Sequence, residues 1–346
     1  MIRTLVVAIL AAVTLAACGS DGDDQGATGT AAAPETTAAA SESGPEPGAF
    51  PVTMPHRYGE TTIESEPKRI VVAGLREQDA LLSLGVVPVG TTEWYGNHPG
   101  AIFPWAKEAL GDNPLPEKLD FADGLQFERI AALRPDVILA VYSGLTQHDY
   151  DTLSAIAPTI AQPRGEVDWG SSWQEELATA GQVVGRPKLA AEIQAKAEAQ
   201  LQEAADAHPV LKGKTGVVAT PYNGIYVYGP QDARTRLLED LGMTFPEALS
   251  SVAQDDFGGQ LSEERIDLLD QGVVLWFADP GPERKLVSGP YGKLSVHTQG
   301  RDVFLPEKGT LYEATSFISP LSIPLLADEL VPKLAAAADA DPRTTG

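Results

Sequence analysis

One stretch of this chain occurs twice without a gap. Glu128-Arg-Ile-Ala-Ala-Leu-Arg-Pro-Asp-Val-Ile-Leu aligns with Glu264-Arg-Ile-Asp-Leu-Leu-Asp-Gln-Gly-Val-Val-Leu. Each copy reads as a short helix, a turn and a buried strand. A shared apolar pattern is expected of any two such units, but the shared Glu-Arg lies on the polar side and is not explained by burial. A true internal repeat limits the fold to two related α/β halves.

The surroundings of each copy agree. Ahead of the first copy, Phe50-Pro-Val-Thr and Tyr58-Gly-Glu-Thr-Thr-Ile form an expected edge hairpin. Ile70–Ala73 is a buried strand, Gln78–Leu84 a helix closed by Gly85, and Val86-Val-Pro-Val-Gly-Thr a second strand. After Asp136-Val-Ile-Leu-Ala-Val-Tyr come a helix at Tyr150–Ala157 and a strand at Pro158-Thr-Ile-Ala. The second half runs through Val217-Val-Ala, Ile225-Tyr-Val-Tyr, a helix at Ala233–Leu241, Val273-Val-Leu-Trp-Phe, Val303-Phe-Leu and a terminal helix from Leu321 to Ala338. Strands alternating with helices predict a mainly parallel sheet covered on both faces in each half.

Between the halves lies the most helical part of the chain. Ser172-x-x-Glu175 fits a capping box, and Trp173, Leu177, Ala180 and Val184 recur at helical spacing. Gly185-Arg-Pro187 ends that helix, and the strong helix formers of Leu189–Ala207 predict a second, about 30 Å long.

The N-terminus sets the compartment. Residues 1–17 read as a signal peptide, with Arg3 before a short apolar run at Leu5–Ala12. Leu15-Ala-Ala-Cys18-Gly matches the bacterial lipobox, which makes Cys18, the chain's one cysteine, the expected lipid anchor. Residues 18–50 are small, polar and acidic and are expected to be a flexible tether. The expected division is thus signal peptide 1–17, tether 18–50, N-terminal lobe 51–170, connecting helices 171–210 and C-terminal lobe 211–340.

Composition excludes several functions. A net charge of −23 argues against nucleic acid as a partner. With one cysteine there is no intrachain disulfide and no Cys cluster for a metal. The five histidines are scattered without metal-ligand spacing, so no bound metal or cofactor is expected. There is no Gly-x-Ser-x-Gly elbow and no phosphate-binding Gly-Lys-Ser/Thr loop, and Asp255-Asp256 reads as a solvated loop, so an enzyme is not expected.

Several motifs in this order, Tyr58-Gly-Glu-Thr, Pro67-Lys-Arg-Ile-Val-Val, Leu84-Gly-Val-Val-Pro-Val-Gly, the Phe127–Leu139 unit and Ser319-Pro-Leu-Ser-Ile-Pro, together with the lipobox, resemble the iron–siderophore substrate-binding lipoproteins of ABC importers. The resemblance covers residues 51–338 and implies two Rossmann-like α/β lobes joined by a rigid helix, the periplasmic binding protein fold with a helical backbone. It implies a monomer, lipid-anchored on the outer face of the cell membrane, that holds a ferric siderophore between its lobes. It also implies docking on an ABC permease dimer through one glutamate per lobe, at Glu128 and Glu264, with Glu263 the competing acid on the second. Haem, cobalamin or a cell-envelope role without transport are the alternatives.

Ligands of open α/β sheets sit beyond the carboxyl ends of the strands. Arg76, Trp94, Tyr95, Tyr142 and Arg164 follow strands of the first half, and Tyr222 and Trp276 lie at similar places in the second. A bulky anionic chelate with an apolar shell calls for arginine and aromatic faces. Trp169, Trp173 and Trp276 read more readily as packing residues, and Arg76 also reads as a surface ion pair with Glu77 or Asp79.

Overall fold

The computed structural model describes residues 44–339 apart from 123 and 254–256. The signal peptide, Cys18, most of the expected tether and Asp255-Asp256 lie outside the described residues.

Among the described residues twelve strands form three sheets: β1 (Val52–His56), β2 (Gly59–Ile63), β3 (Ile70–Val72), β4 (Gly90–Glu93), β5 (Glu117–Asp120), β6 (Val137–Ala140), β7 (Thr159–Ala161), β8 (Gly216–Thr220), β9 (Ile225–Tyr228), β10 (Gly258–Leu261), β11 (Val273–Phe277) and β12 (Asp302–Leu305). β1 and β2 make the antiparallel hairpin read from the sequence. The N-terminal lobe holds the order β5-β4-β3-β6-β7, and the C-terminal lobe β10-β9-β8-β11-β12. The two orders are the same once each lobe's strands are counted from its own first. In both, the repeated unit delivers the strand that pairs directly with the first strand, β6 on β3 and β11 on β8.

The lobes differ in direction. The first sheet is parallel throughout. In the second, β9 runs antiparallel to both β8 and β10. The short link Pro221–Gly224 between β8 and β9 explains this, because a hairpin needs only a few residues and a parallel crossover about a dozen or more. The central strands β3, β6 and β11 are buried along their whole length, as expected of sheets covered on both faces.

The joining helices are Trp173–Val183 and Pro187–Ala207. The capping box is formed: Ser172 Oγ accepts from Glu175 N at 3.2 Å, and the Glu175 carboxylate accepts from Ser172 N at 2.8 Å. Gly185 turns the chain between the helices with φ 71°, and a Cβ there would lie 2.6 Å from Phe50 and 2.7 Å from Pro45, so only glycine fits. The second helix has 21 residues, about 31 Å at about 1.5 Å per residue. It buries only Ala190, Ala197 and Leu201, and it packs on the first helix and on the terminal helical segment. One hydrophobic cluster runs from Ile70, Val72 and Leu81 through Leu177 and Val183 to Leu201, Leu237 and Leu334.

Three boundaries differ from expectation. The end of the tether is not free: Glu46 N donates to Gly185 O at 2.7 Å, and the Glu46 carboxylate accepts from Lys188 N at 2.7 Å. An acid there satisfies an N–H of the first turn of the long helix, which has no acceptor of its own. The second strand starts at Gly90 and not at Val86, since Pro88 lacks the N–H a ladder needs. The terminal helix passes through a π turn at Leu326–Leu330 beside Pro332, which has no N–H to give to the preceding turn. Among the described residues no helix is long and apolar enough to cross a membrane.

Candidate functional site

The loop after β3 places Arg76 immediately ahead of the helix Glu77–Ser83. Its side chain is buried, 1% exposed, and its guanidinium carbon lies over the Tyr142 ring, 3.6 Å from the centroid. Nη2 donates to Ser171 O at 2.9 Å and pairs with the Glu176 carboxylate. Nε and Nη1 are buried without a partner. A buried guanidinium N–H left unbonded is unfavourable by about 1–3 kcal/mol or more, so these two donors are the clearest mark of a missing acceptor in the lobe.

Three carboxyl groups surround this arginine. Glu77 receives N–H bonds from Val141 at 2.5 Å, Tyr142 at 2.9 Å and Arg76 at 3.0 Å, and so ties the end of β6 to the start of its own helix. Asp79 receives Trp105 Nε1 and Ser319 Oγ, each at 2.7 Å. Burial pushes all three upward, Glu77 in direction, Asp79 to about 6 and Glu176 to about 8, with backbone N–H bonds opposing it at Glu77, Ser319 and Trp105 at Asp79, and Arg76 at Glu176.

The C-terminal lobe carries a second stack of the same kind, which the sequence did not single out. Arg234, 5% exposed, lies 3.8 Å from the centroid of the Tyr228 ring and 5.8 Å from that of Phe277. Asp232 caps the helix Ala233–Asp240 by accepting from Arg234 N at 2.8 Å, and also accepts from Arg234 Nε at 2.7 Å and Nη2 at 2.5 Å. The Tyr142 ring of the first stack lies within electrostatic reach of the second. Burial raises the Tyr142 hydroxyl to about 12, and after Arg76 the charges it feels are Asp232 and Arg234 of the other lobe.

Aromatic rings line the space beside them. Trp94 and Tyr95 follow β4 and pack with each other, with Tyr142 and with Phe317 at centroid distances of 4.9 to 6.1 Å. A hollow of about 320 Å³ opens on the N-terminal lobe at Trp94, Tyr95, Asn97 and Phe121, and neither Arg76 nor Arg234 lines it.

Arg76, Trp94, Tyr95 and Tyr142 are therefore brought together, and the other three sequence candidates are not among them. Arg164 is spent on the edge hairpin: its Nε donates to His56 O at 3.0 Å and its Nη2 to Gly59 O at 2.9 Å. Trp276 is fully buried on the far face of its sheet, where Nε1 donates to Tyr291 Oη at 2.8 Å. Side chains alternate along a strand, so its neighbour Phe277 faces Arg234 and Tyr312 instead. Tyr222 is 66% exposed on the β8–β9 link and makes no ring contact with the cluster.

Glu128 is the second residue of the helix Phe127–Ala132, and Glu264 the second of the 3-10 helix Glu263–Leu269. Each helix follows an edge strand, β5 or β10. Both acids are exposed, as is Glu263, and none of the three makes an ion pair among the described residues. Among the described residues no group of three or more His, Cys, Asp or Glu is placed to hold a metal ion.

Comparison with known proteins gives concordant matches. Residues 70–287 match the family described as periplasmic binding protein. The chain is 28% identical, over 61% of its length and 67% of the relative's, to the Fe(3+) dicitrate-binding periplasmic protein FecB of Escherichia coli. Its fold superposes with a TM-score of 0.75 on PiaA of Streptococcus pneumoniae in complex with ferrichrome, at 28% identity over 84% of this chain and 99% of that one. A periplasmic solute binding protein of Mycobacterium smegmatis gives 0.71 at 32% identity, over 83% and 98%.

Proposed function

Because this chain belongs to the periplasmic binding protein family, we propose that it captures a ferric siderophore between its lobes and hands it to an ABC permease. The observation that carries the reading is the pair of unpartnered donors on Arg76, buried beside Tyr142 and Trp94. An acceptor oxygen of a ferric chelate would satisfy them, and the flanking aromatic faces suit the organic shell of such a ligand. The relatives support the same ligand class, since one is described as binding Fe(3+) dicitrate and another was solved with ferrichrome.

Glu128 and Glu264 are the docking acids of this proposal. Two exposed ion pairs contribute only about 0.2–1 kcal/mol each, but charges on separate lobes fix orientation, which suits a carrier that must dock and leave. Cys18 carries the lipid that holds the carrier on the outer face of the membrane.

The test is a fluorescence-quenching titration against ferrichrome, ferric dicitrate, a ferric catecholate, haem and cobalamin. The proposal expects saturable binding of at least one ferric chelate, weakened in an Arg76→Met/Glu176→Gln chain. Binding of haem or cobalamin alone, or of none of the five, contradicts it.

A further inference from the structure

The rim of the cleft carries a contact that ligand chemistry alone does not require. Tyr95, Gly96, Asn97 and His98 form a tight loop after β4, with Gly96 at φ 88° and Asn97 at φ 51°. The N-terminal lobe grips this loop from behind: Lys118 Nζ donates to Asn97 Oδ1 at 2.5 Å and to Glu93 at 3.0 Å. From the front it meets Glu313, on the helix Thr310–Ser316, which packs on Ala233–Asp240 of the other lobe. His98 Nε2 lies 3.2 and 3.1 Å from the two carboxylate oxygens of Glu313. Tyr95 Oη donates to the Glu313 carbonyl at 3.1 Å.

The loop is shaped for this meeting. A Cβ at Gly96 would lie 2.8 Å from His98 Cδ2 and 2.9 Å from Glu313 Oε1, so a side chain there would push the partners apart. The pair also differs from the contact between Asp79 and Ser319, which is sealed from water. The His98 and Glu313 side chains keep 20% and 9% exposure, so water can replace each partner when the contact opens. A single partly exposed hydrogen bond breaks at modest cost, and one that spans two bodies acts mainly on the rate of their separation.

We propose that His98 and Glu313 are positioning residues that latch the two lobes across the mouth of the cleft and set how slowly a bound chelate leaves. This rests on the reading that the cleft is the ligand site. The latch touches neither Arg76 nor Arg234, so it acts on release rather than on recognition. Phe317, fully buried among Phe103, Trp105 and Tyr95, follows Glu313 by one helical turn and keeps its helix in register with the loop.

Stopped-flow kinetics on the full chain with ferrichrome and ferric dicitrate tests this. His98→Ala and Glu313→Ala should each raise the dissociation rate about 5-fold while the association rate changes by less than about 2-fold. The double variant should release no faster than either single one, since both remove one contact. His98→Gln, which keeps a donor near the Nε2 position, should return the rate to within about 2-fold of the parent. Gly96→Ala should release as fast as His98→Ala. Hydrogen exchange of the ligand-free protein supplies an independent arm: amides of residues 310–316 should exchange faster in His98→Ala. Unchanged dissociation rates, additive single effects or unchanged exchange would overturn the latch. If neither chelate binds, the ligand reading falls, and the exchange arm alone decides whether the pair joins the lobes.

Discussion

Each lobe lays an arginine on a tyrosine, yet the two stacks are not equivalent. In the C-terminal lobe Asp232 sits two residues from Arg234 and takes both Nε and Nη2. In the N-terminal lobe the partner, Glu176, comes from the joining helix and takes only Nη2, leaving Nε and Nη1 unbonded. A local acid takes two corners of its arginine while a distant one holds it by a single corner. Two stacks of similar appearance thus differ in how their donors are met: Asp232 takes Nε and Nη2 of Arg234, whereas Nε and Nη1 of Arg76 stay buried and unbonded.

The lobes can be set against each other experimentally. The largest effect is expected outside the cleft. Glu128→Ala with Glu264→Ala should reduce uptake of a labelled ferric chelate by cells to background while purified protein keeps its Kd. Normal uptake would remove both acids from docking. Next comes the N-terminal stack. Arg76→Met/Glu176→Gln removes the pair together, because deleting one partner alone leaves the other buried without it. Its Kd for a ferric chelate should rise about 10- to 100-fold, the range of hydrogen bonds to a charged group. The matching change in the C-terminal lobe, Arg234→Met/Asp232→Asn, should cost about 5-fold or less, as only ring contacts are lost. A larger loss here than at Arg76 would invert the assignment.

A further effect concerns stability rather than binding. Burial raises Asp79 from 3.8 to about 6 in the folded chain. The folded state therefore holds this proton more tightly than the unfolded one. The stability this contributes is present below pH about 4 and is lost as pH rises through about 6. Asp79→Asn keeps an acceptor for Trp105 and Ser319 and has no proton to lose, so relative to it the parent should lose about 2–3 kcal/mol between pH 4 and 7. Urea midpoints measured across that range check this, and a constant difference would show that Asp79 does not titrate there.

Much of this organisation is legible in the sequence. Apolar runs of β-branched residues mark β3, β6, β8 and β11, and the Glu128/Glu264 repeat marks the same strand in both lobes. The edge strands β5 and β10 were missed because Glu117-Lys-Leu-Asp and Gly258-Gly-Gln-Leu have no apolar run to detect. Arg76 and Tyr142 could be read because they follow central strands, whose ends face the cleft. Arg164 follows a strand as well, but β7 is an edge strand and its loop turns back to the hairpin. Trp276 was displaced by parity alone, as a one-residue step along β11 reverses the face. Arg234 escaped because it lies inside a helix and not in a loop after a strand. Its signal was Asp232, an N-cap acid two residues before it, which marks the start of a helix facing the cleft.

The central claim is that Arg76 offers its two free donors to the ligand and Arg234 does not. The most direct measurement is the ratio of Kd values for one ferric chelate between Arg76→Met/Glu176→Gln and Arg234→Met/Asp232→Asn, each titrated by fluorescence quenching. The account predicts a ratio of about 2 to 100. A ratio near or below one would contradict it.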